Sequence, residues 1–496
     1  MRRCLSGTAA GFANYYNKQQ VKSFKVRSGT AATTMRPAAA AMRIALGLVA
    51  VLALLATTAL ATATTGSAAA PQQTFSQAIT RAIDLTSQLV RETATINIDN
   101  TGATPLERYE LRTPDAAHLA YVGVKTKASA ELPLTVLQTG AAGAEAWEVQ
   151  LVPPVPPGEK VSMVATFVYI NKMVPLPAHA PLLAPQKMRL DHTLHFYSPY
   201  HTHKERTTVT VPSGPGVVSK TENTVAVDGN KLTYGPFTDI APLDRTELFV
   251  HFENNAPFAA VTSLVRTLEV SHWGNNLAVE EFFDVEHKGS KLEGQFSRLE
   301  LMRAGIGAVA RSNIVQSFTL QLPGAAADIY YRDVIGNIST STVRPNVAKG
   351  VINLTLEPRY PLVGGWKTKW YHGWNQPLST ALHHRQDAPG YVLEIPLATL
   401  FENAAVEKFE LRVTLPEGAQ NVELHAAVPL DDIHLERTTT YLDITGRPVL
   451  VARRQRLVNE HNGIVYVRAR TRPRRARASR ARPLNQVVGS GDCGWE

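Results

Sequence analysis

Cysteine is nearly absent from this chain of 496 residues, and its two copies, Cys4 and Cys493, stand close to opposite ends. No disulfide can therefore form within the long interior, and the folded part must depend on buried apolar side chains. The hydrophobic fraction of 44% is that of an ordinary globular protein and is ample for such cores. A small, disulfide-dense scaffold is thereby excluded.

The signature motifs of several enzyme classes are missing as well. The sequence holds no Gly-x-x-x-x-Gly-Lys-Ser/Thr loop, no His-Glu-x-x-His and no Gly-x-Ser-x-Gly. The stretch Gly364–Thr368 looks like a phosphate loop only superficially, because the earlier glycine is absent and Trp366 would crowd a phosphate. A glycosidase stays open as an alternative, since its two carboxylates can come from any part of a chain.

The body of the chain has no net positive charge, although the whole carries a net charge of +9. Residues 1–43 carry +8, residues 453–482 carry +10 and residues 483–496 carry −2, which leaves −7 for residues 44–452. The basic pI therefore belongs to the two ends. Because the interior is mildly acidic, no nucleic-acid partner is expected.

The N-terminal region has the pattern of a secretory signal. Residues 1–41 show no hydrophobic periodicity, and we interpret them as an unstructured leader or an upstream extension of the reading frame. Residues 42–70 begin with Met42 and Arg43, continue with apolar residues 44–60 and end in small residues, which predicts a signal peptide. An uncleaved anchor is the alternative, but the apolar stretch is short for a membrane span.

Short strand patterns separated by turn residues dominate the rest of the chain, and they predict a mainly β fold with two β-sandwich-like domains, at 71–258 and 259–467. The boundary rests on the turn-rich Asn254-Asn255-Ala256-Pro257. Short helices are expected at 74–90 and at 397–406. A hairpin is expected around residues 268–286, with its turn at residues 273–276 and its acidic side chains on a wet face.

Eight ordered stretches carry a resemblance to a known family. They are HFYSPY (195–200), YGPF (234–237), VHFENNAPF (250–258), SHWGN..AVEE....HKG..L.G.FSR (271–298), YYRDVIGNISTS (330–341), PRYPLVGGWKTKWY (358–371), LPEGAQN (415–421) and TYLDITGRPVLV (440–451). Together they span roughly residues 75–467, and this chain resembles the ribophorin I family, a subunit of the oligosaccharyltransferase of the endoplasmic reticulum.

The resemblance implies two β-rich lumenal domains and no catalytic residues or cofactor in this chain. Catalysis would belong to a multi-spanning partner subunit, and the domains would lie near the translocon and nascent polypeptides. The resemblance also implies a transmembrane helix after the second domain. Residues 468–496 instead form an Arg-rich stretch, predicted to be disordered. We expect a truncated or frame-shifted reading frame here, with a soluble isoform as the alternative.

Two kinds of candidate site stand out. The sequons at Asn337 and Asn353 are candidate N-glycosylation sites if exposed in the lumen, and Asn337 follows a turn whereas Asn353 sits within a strand. The aromatic residues Trp366, Trp370, Tyr371 and Trp374 could bind a sugar or peptide, or could equally form core.

We interpret the histidines and the paired acids as structural residues rather than as metal ligands or catalytic groups. The histidines cluster at His192, His195, His201 and His203 and again at His383-His384, without carboxylate or cysteine at metal-ligand spacing apart from Asp191. The pairs Glu280-Glu281 and Asp431-Asp432 would point to opposite faces of a strand, so neither could act jointly on one bond.

The sequence leaves three alternative functions for this chain. The first is a non-catalytic oligosaccharyltransferase subunit, associated with the membrane in its full-length form. The second is a free secreted β-sandwich that binds glycans or peptides. The third is an aminopeptidase or glycosidase, of which the missing zinc motif disfavours the former.

Overall fold

A computed structural model describes residues 73–471, apart from 141–143, 215, 223–224, 311, 386–389 and 441–442. Strands make up most of this part of the chain, and the prediction of a mainly β fold is confirmed. The predicted leader and signal peptide lie outside the described residues. The predicted tail does too, except that Arg468 and Arg470 belong to the last strand, which continues to Thr471.

The N-terminal lobe, residues 73–258, contains three sheets. Its strands are β1 (Ser76–Asp84), β2 (Val90–Asp99), β3 (Leu106–Thr113), β4 (Leu119–Thr126), β5 (Leu134–Gly140), β6 (Ala144–Val155), β7 (Lys160–Tyr169), β8 (Val174–Pro175), β9 (His179–Ala180), β10 (Lys187–Thr193), β11 (Thr202–Thr210), β12 (Val217–Lys220), β13 (Val225–Asp228), β14 (Lys231–Ile240) and β15 (Glu247–Glu253). A seven-stranded sheet has the order β13-β14-β11-β1-β2-β7-β4, and β12-β15-β10-β8 and β3-β6-β5 form the other two.

The C-terminal lobe, residues 259–471, is built in the same way. Its strands are β16 (Ala259–Ser271), β17 (Asn276–His287), β18 (Lys291–Leu292), β19 (Phe318–Pro323), β20 (Ala327–Asp333), β21 (Ser341–Asn346), β22 (Val351–Leu356), β23 (Lys367–Pro377), β24 (Leu382–His384), β25 (Tyr391–Pro396), β26 (Ala405–Thr414), β27 (Ala419–Ala426), β28 (Asp432–Thr438), β29 (Arg447–Leu457) and β30 (Ile464–Thr471). One α-helix, α1 (Arg298–Ala310), and single 3-10 turns at Val347–Lys349, Leu378–Thr380 and Asn459–His461 complete it.

The sheet topology of the two lobes is the same. The C-terminal sheets read β28-β29-β26-β16-β17-β23-β20, β27-β30-β25-β24 and β19-β22-β21, which is the N-terminal order strand for strand. In each lobe the first strand pairs in parallel with a distant one, β1 with β11 and β16 with β26. A short sequence match accompanies this register, since Val209–Gly214 reads VTVPSG and Val413–Gly418 reads VTLPEG. The chain therefore contains an internal structural duplication that our reading of the sequence missed.

Each lobe encloses a hydrophobic core of its own. The N-terminal core runs from Phe75 to Phe258, and the C-terminal core from Ala259 to Val467. Alternate residues of the central strands supply it, as in β2, where Ala94, Ile96 and Ile98 are buried. The domain division at 258/259 stays a prediction, because the described residues, 73–471 with their gaps, all fall in one compact unit.

The predicted hairpin is confirmed as β16 and β17, which pair along their whole length. One detail was wrong. Glu281 does not lie on a wet face: it is fully buried and faces the core in phase with Val279 and Phe283. An inward-facing carboxylate is hidden from a pattern search, because the search assigns charged residues to solvent.

Both predicted helices were wrong, and α1, the α-helix found among the described residues, was not predicted. Residues 76–84 form β1, whose inward side chains include Ile79 and Ile83, while small Ala78 and Ala82 lie on the other face and made the segment look helical. Residues 397–404 are turns that lead into β26. Helix α1 contains two glycines, one of which, Gly305, has φ 76°, and this composition concealed it.

Candidate functional site

Several stretches that carry the family resemblance meet at one place, the joint between the lobes. At its centre is the side chain of Gln186, which is completely buried. Its Oε1 accepts hydrogen bonds from the Ser290 N–H (3.0 Å) and from Asn313 Nδ2 (2.9 Å). Its Nε2 donates to the carbonyl oxygen of Asn254 (2.9 Å). One N-terminal-lobe amide therefore satisfies polar groups of both lobes.

The backbone around Gln186 fixes this geometry. The Asn254 N–H donates to the Gln186 carbonyl oxygen (2.9 Å), and the Gln186 N–H donates to Asn255 Oδ1 (2.8 Å). Asn254 Nδ2 reaches back to the carbonyl oxygen of Leu85 (3.1 Å). The turn predicted at residues 254–257 is thus held on the N-terminal lobe at the point where the chain crosses into the C-terminal lobe.

Two glycines of the resemblance are required here for close approach. A Cβ at Gly289 would collide with Gln186 Oε1, and a Cβ at Gly364 would collide with the carbonyl oxygen of Ser290. His287, which precedes this turn, is buried, and burial lowers its pKa. Its Nε2 lies 2.6 Å from the Asn313 carbonyl oxygen and its Nδ1 accepts from the Gly289 N–H (3.1 Å), so the neutral Nε2–H tautomer fits.

A second polar contact crosses the joint beside the first. Glu407 of β26 pairs with Lys288 and accepts a hydrogen bond from Asn171 Nδ2 of the N-terminal lobe (2.8 Å). Gln88 Nε2 donates to the carbonyl oxygens of Asn403 (2.5 Å) and Ala259 (3.2 Å). These bonds tie the β1–β2 and β7–β8 connections to the beginnings of β16 and β26 in the C-terminal lobe.

An apolar cluster and an outer rim close the joint. Residues of both lobes form the cluster: Leu89, Ala120, Val168, Ile170, Ala405 and Val458. At the rim, Arg91 pairs with Glu460 (3.1 Å), and Arg456 donates to the carbonyl oxygens of Ala116 (2.5 Å) and Ala117 (2.8 Å). Polar, ionic and apolar contacts therefore all link the two lobes at the joint.

Each lobe also buries an arginine at the same place in the duplicated sheet. Ile83 pairs with Val209 in the N-terminal lobe, and Leu268 pairs with Val413 in the C-terminal lobe. Two residues before these positions stand the arginines, Arg81 and Arg266. Arg81 Nε binds Glu92 Oε1 (2.6 Å), and Arg266 pairs with Glu281. A histidine approaches each glutamate, His192 at 3.0 Å and His372 at 3.1 Å.

The pKa values of these groups follow from their partners. Burial opposes ionisation of Glu92 most strongly, but Arg81 and His192 outweigh it and hold its pKa below the ordinary value. The same balance, with Arg266 and His372, lowers the pKa of Glu281. Burial, with Lys172 and Arg81 nearby, lowers the pKa of His192 to about 4. Both buried glutamates are therefore ionised and His192 is neutral at pH 7.

The histidines singled out from the sequence separate in the structure. His192 belongs to the buried network, His195 lies within 3.7 Å of Glu205 and Asp244, and His201 and His203 are exposed on β11 or beside it. His383 approaches Glu394 at 3.7 Å. Among the described residues, no group of three or more His, Cys, Asp or Glu side chains is arranged to hold a metal ion.

The paired acids face apart, as expected for neighbours on a strand. Glu280 accepts a hydrogen bond from the Tyr330 hydroxyl (2.8 Å) on the face opposite to the one occupied by Glu281. Asp431 accepts from the Gln455 N–H (2.6 Å), whereas Asp432 lies beside His434 (2.9 Å). Each carboxylate thus has a structural partner of its own.

The four candidate aromatic residues do not share one surface. Trp370 and Trp374 are only 4% and 1% exposed and pack in the C-terminal core. Tyr371 lies on the opposite face of β23 and stacks on Phe282 at 5.2 Å. Trp366 contacts Phe296 and Tyr360 at 5.1 and 5.8 Å. Any ligand would therefore have to meet Trp366 or Tyr371, and the binding role itself stays a prediction.

The two sequons differ in their surroundings. Asn337 is exposed in the turn after β20, where Asp333 Oδ1 accepts from the Ile335 and Gly336 N–H groups (2.9 Å each). Asn353 lies half-buried on β22, the central strand of its sheet. Glycosylation of either stays a prediction, which glycopeptide mass spectrometry of the expressed protein would test.

Comparison with known proteins decides the family. The model of the Ribophorin I family matches residues 75–473. This chain belongs to the ribophorin I family. A Caenorhabditis elegans relative, dolichyl-diphosphooligosaccharide–protein glycosyltransferase subunit 1, is 33% identical over 388 residues, covering 77% of this chain and 65% of its own length. Subunit 1B of Oryza sativa subsp. japonica is 32% identical over 399 residues, covering 77% of this chain and 81% of its own.

Solved structures add little to this. Native yeast LTA4 hydrolase covers 39% of this chain and 31% of its own, at 9% identity and a TM-score of 0.25, too low to carry an argument about fold or activity. Among residues 73–471, in the parts described, no helix is long and apolar enough to cross a membrane.

Sequence reasoning found the family but not the joint. The residues that form it, Gln186 above all, carry no chemical signature of their own. A usable signal was present in the glycines of His287-Lys288-Gly289 and Gly364-Gly365-Trp366, because a glycine in a turn of a β protein often marks a close backbone approach.

Proposed function

We propose that this member of the ribophorin I family is a non-catalytic subunit of the oligosaccharyltransferase that N-glycosylates nascent chains at Asn-x-Ser/Thr in the endoplasmic reticulum. The observation that carries the proposal is the name shared by its relatives, subunit 1 of the dolichyl-diphosphooligosaccharide–protein glycosyltransferase, over 77% of this chain. Catalysis is assigned to a partner subunit. The lobes contribute a rigid lumenal body in contact with other subunits, the translocon and nascent polypeptides.

The joint described above supports this role physically. A body that positions neighbours must not bend between its two halves, and such stiffness comes from buried, fully satisfied contacts rather than from a flexible linker. Gln186 and the apolar cluster around Leu89 supply contacts of this kind, and the half-buried Glu407 adds a polar contact beside them. Membrane association is expected for the full-length form.

Co-purification tests the proposal. The tagged chain, expressed in cells and extracted in mild detergent, is expected to bring down the other transferase subunits. A control variant with polar residues in place of apolar residues 44–60 is expected to lose them, since it would not enter the secretory route. Recovery of the wild-type chain alone, in an extract where the other subunits remain assembled, would contradict the proposal and favour a free secreted binding protein.

A further inference from the structure

Two of the connections that are longer in one lobe than in the other pack against each other. Between β2 and β3 the N-terminal lobe needs only residues 100–105, whereas the matching C-terminal connection spans 288–317 and contains β18 and α1. Between β8 and β10 the N-terminal lobe has residues 176–186 with β9, longer than its C-terminal counterpart 385–390. Strands β9 and β18 pair in parallel, so both additions belong to one small module.

This module has a hydrophobic core of its own, outside the cores of the lobes. It contains Leu182, Ile314 and Val363, with Leu183, Leu292, Phe296, Leu301 and Trp366 partly buried around them. The Ser297 Oγ accepts from the Glu300 N–H (3.2 Å) and so caps the start of α1. Leu301 turns toward the module core, which leaves the opposite face of α1 to solvent.

That outer face is apolar where a surface helix is ordinarily polar. Leu299 and Met302 are 57% and 69% exposed, one turn apart. Arg298 and Arg303 flank them, both exposed and neither paired with an acid among the described residues, while Glu300 is the acid of this turn. Beside the helix, Phe296 contacts Trp366, and Tyr360 and Lys367 line the same shallow cleft of about 530 Å³.

We propose that this outer face, formed by Arg298, Leu299, Met302 and Arg303, rests on the surface of a phospholipid bilayer, with the cleft of Tyr360 and Trp366 beside it. Leucine and methionine enter the boundary of the acyl chains, and arginines bind headgroup phosphates in a bidentate manner. Tryptophan and tyrosine prefer the same boundary because each has an apolar ring and a polar edge. The arginine charge favours this occupant over an apolar protein groove, which would leave both guanidinium groups without a partner.

This inference requires that the chain meet a membrane, but it does not require membership of the transferase. The two proposals can therefore fail separately. A protein recovered without other subunits could still place α1 on lipid, and an assembled subunit could hold α1 away from it.

A fluorescent probe at position 302 tests the inference in the full chain. Cys4→Ser and Cys493→Ser remove the native thiols, and Met302→Cys is labelled with an NBD group, whose emission rises on leaving water. Vesicles of phosphatidylcholine and phosphatidylinositol are expected to raise the emission several-fold with a blue shift. The matched control is the same label at Val347→Cys, an equally solvent-facing valine, 90% exposed, in a turn of the same lobe.

The control is needed because the basic ends of the chain can attract anionic vesicles by themselves. A response at position 302 and none at 347 supports the proposal. Equal responses, or no response at 302, would overturn it. A response at 302 to purified partner subunits but not to vesicles would also overturn it and would make the face a protein contact.

The charge contribution has a test of its own. Arg298→Glu with Arg303→Glu is expected to weaken vesicle binding about tenfold or more, measured by titrating lipid against the probe at 302. Both residues are exposed, so the fold should be unaffected, which circular dichroism checks. Undiminished lipid binding by this variant would contradict the assignment of the arginines to phosphate.

Discussion

The two lobes have the same strand order but differ in how each surrounds its buried arginine. In the N-terminal lobe Glu92 has several partners besides Arg81, namely His192 and the Tyr169 hydroxyl (3.2 Å). In the C-terminal lobe Glu281 Oε1 accepts from Arg266 and from the Thr399 N–H (3.2 Å), whereas its Oε2 lies 3.1 Å from His372 Nε2 without forming a hydrogen bond. Both lobes have the buried arginine at the same position in the sheet, but the residues that surround the ion pair differ.

This difference shows what the fold requires of that position. An arginine in the middle strand of the sheet must be given a carboxylate, since an unpaired charge at that depth would cost several kcal/mol. The carboxylate does not occupy the same register in both lobes: Glu281 pairs directly with Arg266, whereas Glu92 pairs with Ile83, two residues along from Arg81. The pairing of charges was therefore preserved while its geometry was not.

The largest effect is expected from Arg266→Met. It leaves Glu281 buried without its cation, so the free energy of unfolding should fall by about 3–5 kcal/mol. The equivalent Arg81→Met should lose less, because Glu92 would keep hydrogen bonds from His192 and Tyr169, whereas Glu281 would keep only the one from the Thr399 N–H. Urea denaturation followed by tryptophan fluorescence measures both.

Two controls sharpen this comparison. The double variant Arg266→Met/Glu281→Leu removes both charges and should recover most of the loss, whereas Lys369→Met, which breaks an exposed pair with Asp284, should change stability by less than about 1 kcal/mol. Equal losses for Arg81→Met and Arg266→Met would show that the shells are energetically alike.

A smaller loss is expected at the joint. Gln186→Leu leaves the Ser290 N–H, Asn313 Nδ2 and the Asn254 carbonyl oxygen without partners, which should cost about 1–3 kcal/mol. Hydrogen exchange should accelerate at the Ser290 amide more than in the centre of either lobe. The exposed Gln321→Leu serves as control, and uniform acceleration throughout both lobes would refute a local role for Gln186.

His192 should make the stability of the N-terminal lobe depend on pH. The folded pKa of His192, about 4, lies below its ordinary value of 6.5, so the unfolded chain binds the extra proton first. The contribution of His192 to the free energy of unfolding, up to about 3 kcal/mol, is complete above pH 6.5 and is lost as the pH falls toward 4. His192→Gln keeps a donor and an acceptor but does not titrate, and should flatten the curve in this window. An unchanged slope between pH 6.5 and 4 would rule out His192 as its source.

The sequence revealed features that depend on local residue patterns and missed features that depend on contacts between distant segments. Alternation and turn residues defined the β16–β17 hairpin, because one face of each strand is buried and the tip is polar. The hydrophobic pattern of β1 led to a wrong prediction, because the alanines on its outer face made the alternation of a strand resemble the pattern of a helix. Family-like stretches identified the relatives, but the contacts of Gln186 arise only when segments about a hundred residues apart meet.

The duplication was hidden for a related reason. A sheet order can be kept while nearly every side chain changes, because hydrogen bonds of the backbone do not depend on residue type. Only VTVPSG and VTLPEG remained alike, six residues in each lobe. Charged residues at inward-facing positions, such as Arg81 and Arg266, were the other available signal, and they are visible only once the faces of the strands are known.

The parallel pairs β1–β11 and β16–β26 have a consequence for biosynthesis. A chain that emerges N-terminus first delivers β1 long before β11, and β16 long before β26. Until the late strand arrives, one edge of each early hairpin is open to any other strand nearby. We expect the nascent protein to engage chaperones twice, once per lobe, and to release each when the late parallel strand pairs with the first strand of that lobe.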